Sequence, residues 1–286
     1  MTQRRGPMLI FLAATLWSFA GIISKYLPWG ALAIACGRGM LGTLVLGAFN
    51  GKWFFKPSRA VVLAALGTFT TSLLFMLANK MTTAANAIVL QYLAPAIVIL
   101  LSALFIGLKP NKRDMIMVLV ALFGITLFFF DHLGSGRLLG DVLAIASSLT
   151  FALVFFANRL PGANPMQASY LGCALNFLLL PWLLTDPAVA SAGPTQWLVI
   201  ALMGLLQTGL AYVLFAKGIV QTSAVSASII AMIEPILNPL WVFLLLGERP
   251  SALALAGGAI VLIAVTGYNI LLSREQERQR AQETSS

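Results

Sequence analysis

Two ionisable side chains of opposite charge lie near the middle of long apolar runs, Arg38 in the run 30–49 and Glu234 in the run 222–247. A charge at the centre of a bilayer costs about 2.5–3.5 kcal/mol on insertion scales, so such residues are functional candidates. A carboxylate there can bind an ammonium group or exchange a proton, and a guanidinium can bind a carboxylate. Together they would suit an amino acid, whereas a purely structural ion pair is the alternative interpretation.

A polar and aromatic face accompanies Glu234 if its segment is helical. Asn238 and Trp241 follow at i+4 and i+7, which places all three on one side of a helix. Pro235 has no backbone N–H, so we expect it to break the helix and to free a carbonyl oxygen one turn earlier. The sequence therefore predicts a deformable polar site in this segment.

Further candidates lie in other apolar runs. The fourth run carries the polar pair Gln91 and Tyr92 just before Pro95, a second proline expected to break its helix. Taken singly, small polar side chains in membrane helices more often pack than bind substrate. Trp17, Tyr92, Tyr212 and Trp241 could form an aromatic box that holds cations or rings. The remaining candidates for substrate binding or coupling are Trp17, Ser18, Thr71, Phe75, Gln207 and Tyr212.

Enzymatic chemistry has little support in the sequence. It would need paired carboxylates on a metal, a nucleophile with a base or a phosphate-binding loop, and no Walker sequence is present. We predict no catalytic residue, no cofactor and no metal site, with a membrane enzyme or a non-transporting subunit as lesser alternatives. The net charge of +9 does not indicate nucleic acid binding, because the basic residues cluster at helix ends.

Hydropathy predicts the elements that position these residues. The chain of 286 residues is 59% hydrophobic and only 9% charged, whereas soluble domains carry about 25% charged residues. Apolar runs of about 17–25 residues span the hydrocarbon core and fold as helices, because backbone hydrogen bonds must be made within the chain. The sequence predicts an all-α membrane protein with ten transmembrane helices, at 8–27, 30–49, 60–79, 83–107, 114–131, 139–158, 166–185, 195–216, 222–247 and 251–272.

An internal repeat relates the two halves of the chain. At an offset of 140 residues the fourth and ninth runs match, so that Pro95 meets Pro235 and Gly107 meets Gly247. At a slightly different offset, the segment 6–25 matches 140–159. Five helices per repeat force the second repeat to enter the membrane upside down, as in many secondary transporters. We expect inverted five-helix repeats at 1–133 and 134–272, followed by a polar cytoplasmic tail at 273–286.

The distribution of Lys and Arg predicts the orientation in the membrane. One set of loops, with both termini, holds thirteen of the 18 basic residues, the opposite loops hold four, and Arg38 lies within a span. Positive charges are retained on the cytoplasmic side. Both termini are therefore predicted to be cytoplasmic.

Several local patterns are typical of one family of membrane proteins. From about Met8 to Leu272, the chain resembles the EamA-type branch of the drug/metabolite transporter superfamily. One departure is that the second repeat has Gly247-Glu248 where the first has Gly107-Leu108. The patterns are Leu16-Trp17-Ser18, Arg38, Tyr212-Val213-Leu214-Phe215-Ala216-Lys217-Gly218, and Ile233-Glu234-Pro235 with the later Leu246-Gly247-Glu248-Arg249.

The resemblance implies a secondary transporter of the bacterial inner membrane that works without ATP hydrolysis. Members of this kind commonly export amino acids or related small metabolites by alternating access. Efflux of cationic or aromatic drug-like compounds or of amines is the alternative. We expect a small-molecule substrate, contact with membrane lipid and protons as a possible coupling ion, whereas the substrate's identity, the direction of transport and the oligomeric state stay open.

Overall fold

All regular secondary structure in the described part of the computed structural model is helical. The structure describes residues 5–94, 137–158, 160–222, 233–247 and 251–283, together with 230, 231, 249 and scattered positions between 96 and 127. The predicted all-α class is confirmed for this part of the chain.

The first half begins with a broken helix and two long ones. Gly51, with a φ of 69°, ends one long helix, and Ser58 caps the next by accepting a hydrogen bond from the Val61 amide. Thr83 caps the following helix in the same way, through the Asn86 amide. The helices are α1 (Arg5–Trp17), α2 (Ala20–Tyr26), α3 (Ala31–Asn50), α4 (Arg59–Met81) and α5 (Ala84–Gln91).

The second half contains more irregular helices. Proline occupies the first turn of several of them, where its missing N–H breaks no hydrogen bond. The last helix continues into the segment predicted as a polar tail, because that segment is rich in Glu, Gln and Arg, which favour helix. The elements are α6 (Leu138–Ala157), α7 (Pro165–Ala174), a 3-10 turn (Leu175–Leu179), α8 (Leu180–Thr185), α9 (Pro187–Ala190), α10 (Pro194–Leu202), a π-helical segment (Met203–Leu210), α11 (Ala211–Ile219), α12 (Ile233–Leu246) and α13 (Ala252–Glu283).

Five helical stretches among the described residues are long and apolar enough to cross a membrane. They agree within a few residues with the predicted spans one, two, three, seven and eight. Shorter apolar helices lie at the sixth, ninth and tenth predicted positions. Of the other two predicted spans, 83–107 is described continuously only up to residue 94, and 114–131 only at scattered positions. The five stretches are Arg5–Tyr26, Ala31–Asn50, Arg59–Met81, Pro165–Thr185 and Pro194–Ile219.

The helices pack as two similar bundles. In the first bundle, α4 packs along α6, which also contacts α5; in the second bundle, α11 packs along α1, and α12 contacts α1 and α2. The close approach of α4 and α6 depends on Gly67, where an added Cβ would lie 2.9 Å from the Val154 side chain. Helix α3 packs on the π-helical segment, and the equivalent helix of the second half, α7, packs on α4. In the same way, the contact of α4 with α6 corresponds to the contact of α11 with α1. The two halves of the chain therefore make equivalent contacts with each other.

Candidate functional site

A cavity of about 60 Å³ lies between the two bundles. Its walls come from α4, α5 and α6 on one side and from α1, α2, α11, α12 and the π-helical segment on the other, with α3 contributing one residue. The structure thus brings eight of the sequence candidates to one place. They are Trp17, Arg38, Thr71, Phe75, Gln91, Gln207, Tyr212 and Glu234.

A second cavity, of about 280 Å³, continues from the first and shares four of its wall residues, Trp17, Thr71, Phe151 and Tyr212. It extends to the C-terminal ends of α6 and α11 and to the start of α7. The N-terminal end of the chain lies on this side, because Gly6 contacts Gln221 and Thr222. We call this second cavity the vestibule, since it leads from that side to the small cavity between the bundles.

Arg38 is buried and held by neutral groups. Its Nη2 donates to the Ser72 hydroxyl on α4, and its Nη1 lies 3.5 Å from Gln207 Oε1 on the π-helical segment. The Nε atom is buried and has no hydrogen-bond partner among the described residues. An unpaired buried donor of a charged group is costly, so Arg38 is held in this position at a cost in free energy.

Gln207 connects the guanidinium to the second bundle. Its Oε1 also accepts a hydrogen bond from the Thr208 hydroxyl at 3.1 Å, and its Nε2 lies 3.5 Å from the Trp17 carbonyl oxygen. The π-helical turn presents Gln207 and Thr208 together at the cavity wall. Such turns are rare and occur frequently at functional sites.

Glu234 is also held by an uncharged group from the opposite bundle. The Tyr92 hydroxyl lies 2.9 Å from Glu234 Oε2 and 2.9 Å from the Ala231 carbonyl oxygen, so it can donate to either. Direct pairing of Arg38 with Glu234, a possibility at the sequence level, is not among the contacts of the described residues. Instead, the two charges line one cavity, each with neutral hydrogen-bond partners.

Polar pairs fix the other wall of the first bundle. The Thr71 and Thr150 hydroxyl oxygens are 2.7 Å apart, and Gln91 Nε2 donates to the Ser147 hydroxyl at 3.3 Å. Both contacts join α6 to a neighbouring helix. Thr71 and Gln91 are therefore structurally bonded as well as exposed to the cavity.

Four sequence candidates are not among the residues of the cavity wall, namely Ser18, Asn238, Trp241 and Tyr92, the hydrogen-bond partner of Glu234. Trp241 stacks on Phe19 at a ring distance of 5.2 Å, and its indole N–H donates to the Ser18 hydroxyl at 3.0 Å. Asn238 is fully buried where Gly21 leaves room for its side chain. Asn238 and Trp241 therefore pack on α2 and on the break between α1 and α2, whereas Glu234, on the same helix, lines the cavity.

The aromatic box expected from the sequence does not form as one group. Trp17 packs edge-on against Tyr212, with ring centroids 5.2 Å apart, and also contacts Phe215 at 5.1 Å. Tyr92 bonds to Glu234 instead, and Trp241 stacks elsewhere. The aromatic wall of the cavity thus centres on Trp17 and Tyr212.

Described residues on both sides of Pro235 are helical, at 230–231 and over Ile233–Leu246, and Pro239 lies inside the same helix. Pro235 has no N–H for the Ala231 carbonyl oxygen, which lies 2.9 Å from the Tyr92 hydroxyl, as expected for a carbonyl freed one turn before a proline. Helix α5 ends at Gln91. In a continuing helix the Gln91 carbonyl oxygen would accept a hydrogen bond from the N–H of residue 95, but residue 95 is a proline and has no N–H. Pro95 itself lies outside the described residues.

Sequence reasoning missed two wall residues, Ala20 and Phe151, and did not select Ser72 or Thr208. Phe151 had a signal: in the match of 6–25 with 140–159, it stands where Trp17 stands. Ser72 and Thr208 had weaker signals, because each is a small polar residue beside a selected candidate. Nothing in the sequence points to Ala20.

Comparison with known proteins agrees with the fold and with the repeat. A solved crystal structure superposes with a TM-score of 0.67 at 19% identity, over 95% of this chain and 99% of the other. A protein named as an uncharacterized transporter from Archaeoglobus fulgidus is 27% identical over 92% of this chain and 96% of its own length.

Two bacterial relatives are also named as transporters. The uncharacterized inner membrane transporter YicL of Salmonella typhimurium is 24% identical, over 97% of this chain and 98% of its own. The pseudopaline exporter CntI of Pseudomonas aeruginosa is 25% identical over 68% of this chain and 67% of its own. The model of the EamA-like transporter family matches the chain twice, at residues 4–130 and 138–270. The chain therefore belongs to the EamA-like transporter family and is a multi-pass transporter of the inner membrane.

Proposed function

We propose that this transporter exports amino acids or closely related zwitterionic metabolites by alternating access. The observation that carries the proposal is the cavity in which one buried cation, Arg38, and one buried anion, Glu234, face the same space. A substrate that bears both charges would satisfy both residues at once. A sugar or a hydrocarbon carries no charge and would neutralise neither.

The hydrogen bonds of the two residues support a role in binding. In a buried ion pair each residue would have the opposite charge as its partner, whereas here the described hydrogen-bond partners of both residues are neutral. We expect the substrate carboxylate at Arg38 and the substrate ammonium at Glu234, where the cost of the buried charges would be offset on binding.

Alternating access would use the symmetry of the two bundles. In this proposal the ten helices form two inverted five-helix repeats, 1–133 and 134–272, with both termini and the tail 273–286 on the cytoplasmic side. The vestibule then opens to the cytoplasm, which is the loading side for an exporter. Rocking of one bundle against the other would close the vestibule and open the opposite end.

Export and proton coupling have separate support. The relative CntI is named as an exporter, which favours that direction for this chain. Glu234 is the one carboxylate among the described residues that line the cavity, so a proton exchanged there would compete with the substrate ammonium. Binding and release could thereby be linked to the proton gradient.

The test is transport by the purified protein in proteoliposomes. A panel of labelled amino acids, the matching decarboxylated amines and an uncharged sugar is offered with and without a proton gradient. Movement of one or more amino acids, with little movement of the matching amine or the sugar, supports the proposal. Equal movement of amino acid and amine would show that the carboxylate is not recognised and would overturn it.

Efflux of aromatic cations or amines is the second candidate. It is favoured by the edge-on pair of Trp17 and Tyr212 beside Glu234 in the cavity, since aromatic faces and a carboxylate together bind cations. This function leaves Arg38 without a ligand. Faster transport of the amines than of the amino acids in the same panel would select it.

A further inference from the structure

The end of the molecule opposite the vestibule carries a reciprocal contact between two lysines and two carbonyl oxygens. Lys25, near the end of α2, donates to the Thr82 carbonyl at 2.8 Å. Lys80, near the end of α4, donates to the Leu27 carbonyl at 2.6 Å. Leu27 and Thr82 directly follow the two helices. Each helix therefore supplies an ammonium group to the C-terminal end of the other.

This contact crosses from one bundle to the other. Lys25 and Leu27 belong to the second bundle, whereas Lys80 and Thr82 belong to the first. The carbonyl groups at a helix C-terminus lack partners within the helix and carry partial negative charge, so a lysine ammonium stabilises them. We call these two hydrogen bonds the lysine clasp.

Neighbouring contacts close the same end. Trp29 is 1% exposed and lies edge-on to Trp197, with ring centroids 5.0 Å apart. The Gly30 amide donates to Asp186 Oδ2 at 2.7 Å. These contacts fix the turn between α2 and α3 against the second half of the chain, beside the clasp.

The repeat shows that the clasp is not duplicated in full at the vestibule end. At the offset of 140 residues, Lys80 corresponds to Val220, which is 77% exposed and lines the vestibule. Lys25 corresponds to Arg159 in the match of 6–25 with 140–159, and Arg159 lies outside the described residues. One of the two ammonium donors is therefore replaced by an apolar side chain at the open end.

We propose that the lysine clasp is the gate that holds the end opposite the vestibule closed. Opening that end requires the two bundles to separate there, which breaks both lysine–carbonyl bonds. Each bond joins a charged donor to a backbone carbonyl oxygen, and hydrogen bonds from charged donors are stronger than those between neutral groups. The gate rests on the proposed alternation between two open ends, but its test does not depend on finding a substrate.

The experiment measures the accessibility of a cysteine in the cavity from each side of the membrane. Ser72, at the cavity wall, is replaced by cysteine in a chain that also carries Cys36→Ala and Cys173→Ala. The rate of reaction with a membrane-impermeant thiol reagent is measured in right-side-out and in inside-out vesicles. The parent is expected to react faster from the vestibule side than from the clasp side.

Breaking the clasp should expose the cavity from the other side. Lys80→Met and Lys25→Met are each expected to raise the reaction rate from the clasp side about tenfold or more, because each removes a hydrogen bond from a charged donor. Lys80→Gln keeps a neutral donor and is expected to give a smaller rise. Lys52→Met, which removes an exposed lysine from the turn after α3, is the matched control and should leave the rate unchanged.

Two results would overturn the gate. One is that Lys80→Gln and both methionine variants react from the clasp side at the parent's rate. In this case the rate from the vestibule side must also equal the parent's, which shows that the variants are folded. The other is a parent that reacts equally from both sides. If the lysine variants react faster from the clasp side but the protein transports none of the tested solutes, the gate is supported and the proposed substrate class is not.

Discussion

Replacement of Arg38 by methionine separates substrate recognition from a structural role for this buried cation. The variant keeps a side chain of similar length but loses the charge and the hydrogen bonds to Ser72 and Gln207. If Arg38 binds the substrate carboxylate, an amino acid should lose affinity while its decarboxylated amine, which has no group for Arg38, should not.

The expected magnitude follows from the bond that is lost. A hydrogen bond to a charged group contributes about 1.5–3 kcal/mol, which corresponds to a rise in KM of roughly tenfold to 150-fold for the amino acid. Arg38→Lys keeps the charge without the planar fork of donors and should lie between the wild type and Arg38→Met. Initial rates in proteoliposomes over a range of concentrations measure KM for the amino acid and the amine in each variant.

The same variants distinguish substrate binding by Arg38 from a purely structural role. If Arg38 only ties α3 to α4 and the π-helical segment, transport of amino acid and amine should fall by the same factor, together with the melting temperature in detergent. That result would refute the assignment of the carboxylate to Arg38.

Two further predictions concern the packing around the cavity. Tyr92→Phe removes the hydroxyl partner of Glu234 and should lower the free energy of unfolding by about 1–3 kcal/mol, whereas Tyr26→Phe, at an exposed position, should not; thermal unfolding in detergent measures both. Gly21→Ala places a Cβ against the Asn238 side chain and should destabilise by about 1–3 kcal/mol. That cost should nearly vanish in an Asn238→Ala background, and an equal cost in both backgrounds would contradict the described contact between α2 and α12.

The positions of the helices were largely predictable, because the bilayer imposes a length and a composition on every span. The repeat was visible for a similar reason, since both copies keep the prolines and glycines that shape their helices. The break between Trp17 and Ala20 was not predicted, because neither proline nor glycine marks it at Ser18 and Phe19. It depends on packing from another part of the chain, where Trp241 bonds to Ser18 and stacks on Phe19.

The candidate site was predictable in its charges and less so in its detail. Arg38 and Glu234 stand out because ionisable groups in the membrane are costly and rare. Helical periodicity correctly grouped Glu234 with Asn238, but periodicity does not reveal which part of a face meets a cavity and which part meets another helix. Phe151 could have been found from the repeat, by comparison with Trp17.

The central claim is that Glu234 couples the movement of substrate to the proton gradient, and Glu234→Gln tests it most directly. Glutamine keeps the shape and can still accept a hydrogen bond from Tyr92, but it neither exchanges a proton at neutral pH nor attracts an ammonium group. Accumulation of labelled amino acid in proteoliposomes, driven by a proton gradient, is expected for the wild type and is expected to fail in the variant. Transport by Glu234→Gln at the wild-type rate and with the wild-type pH dependence would contradict the claim.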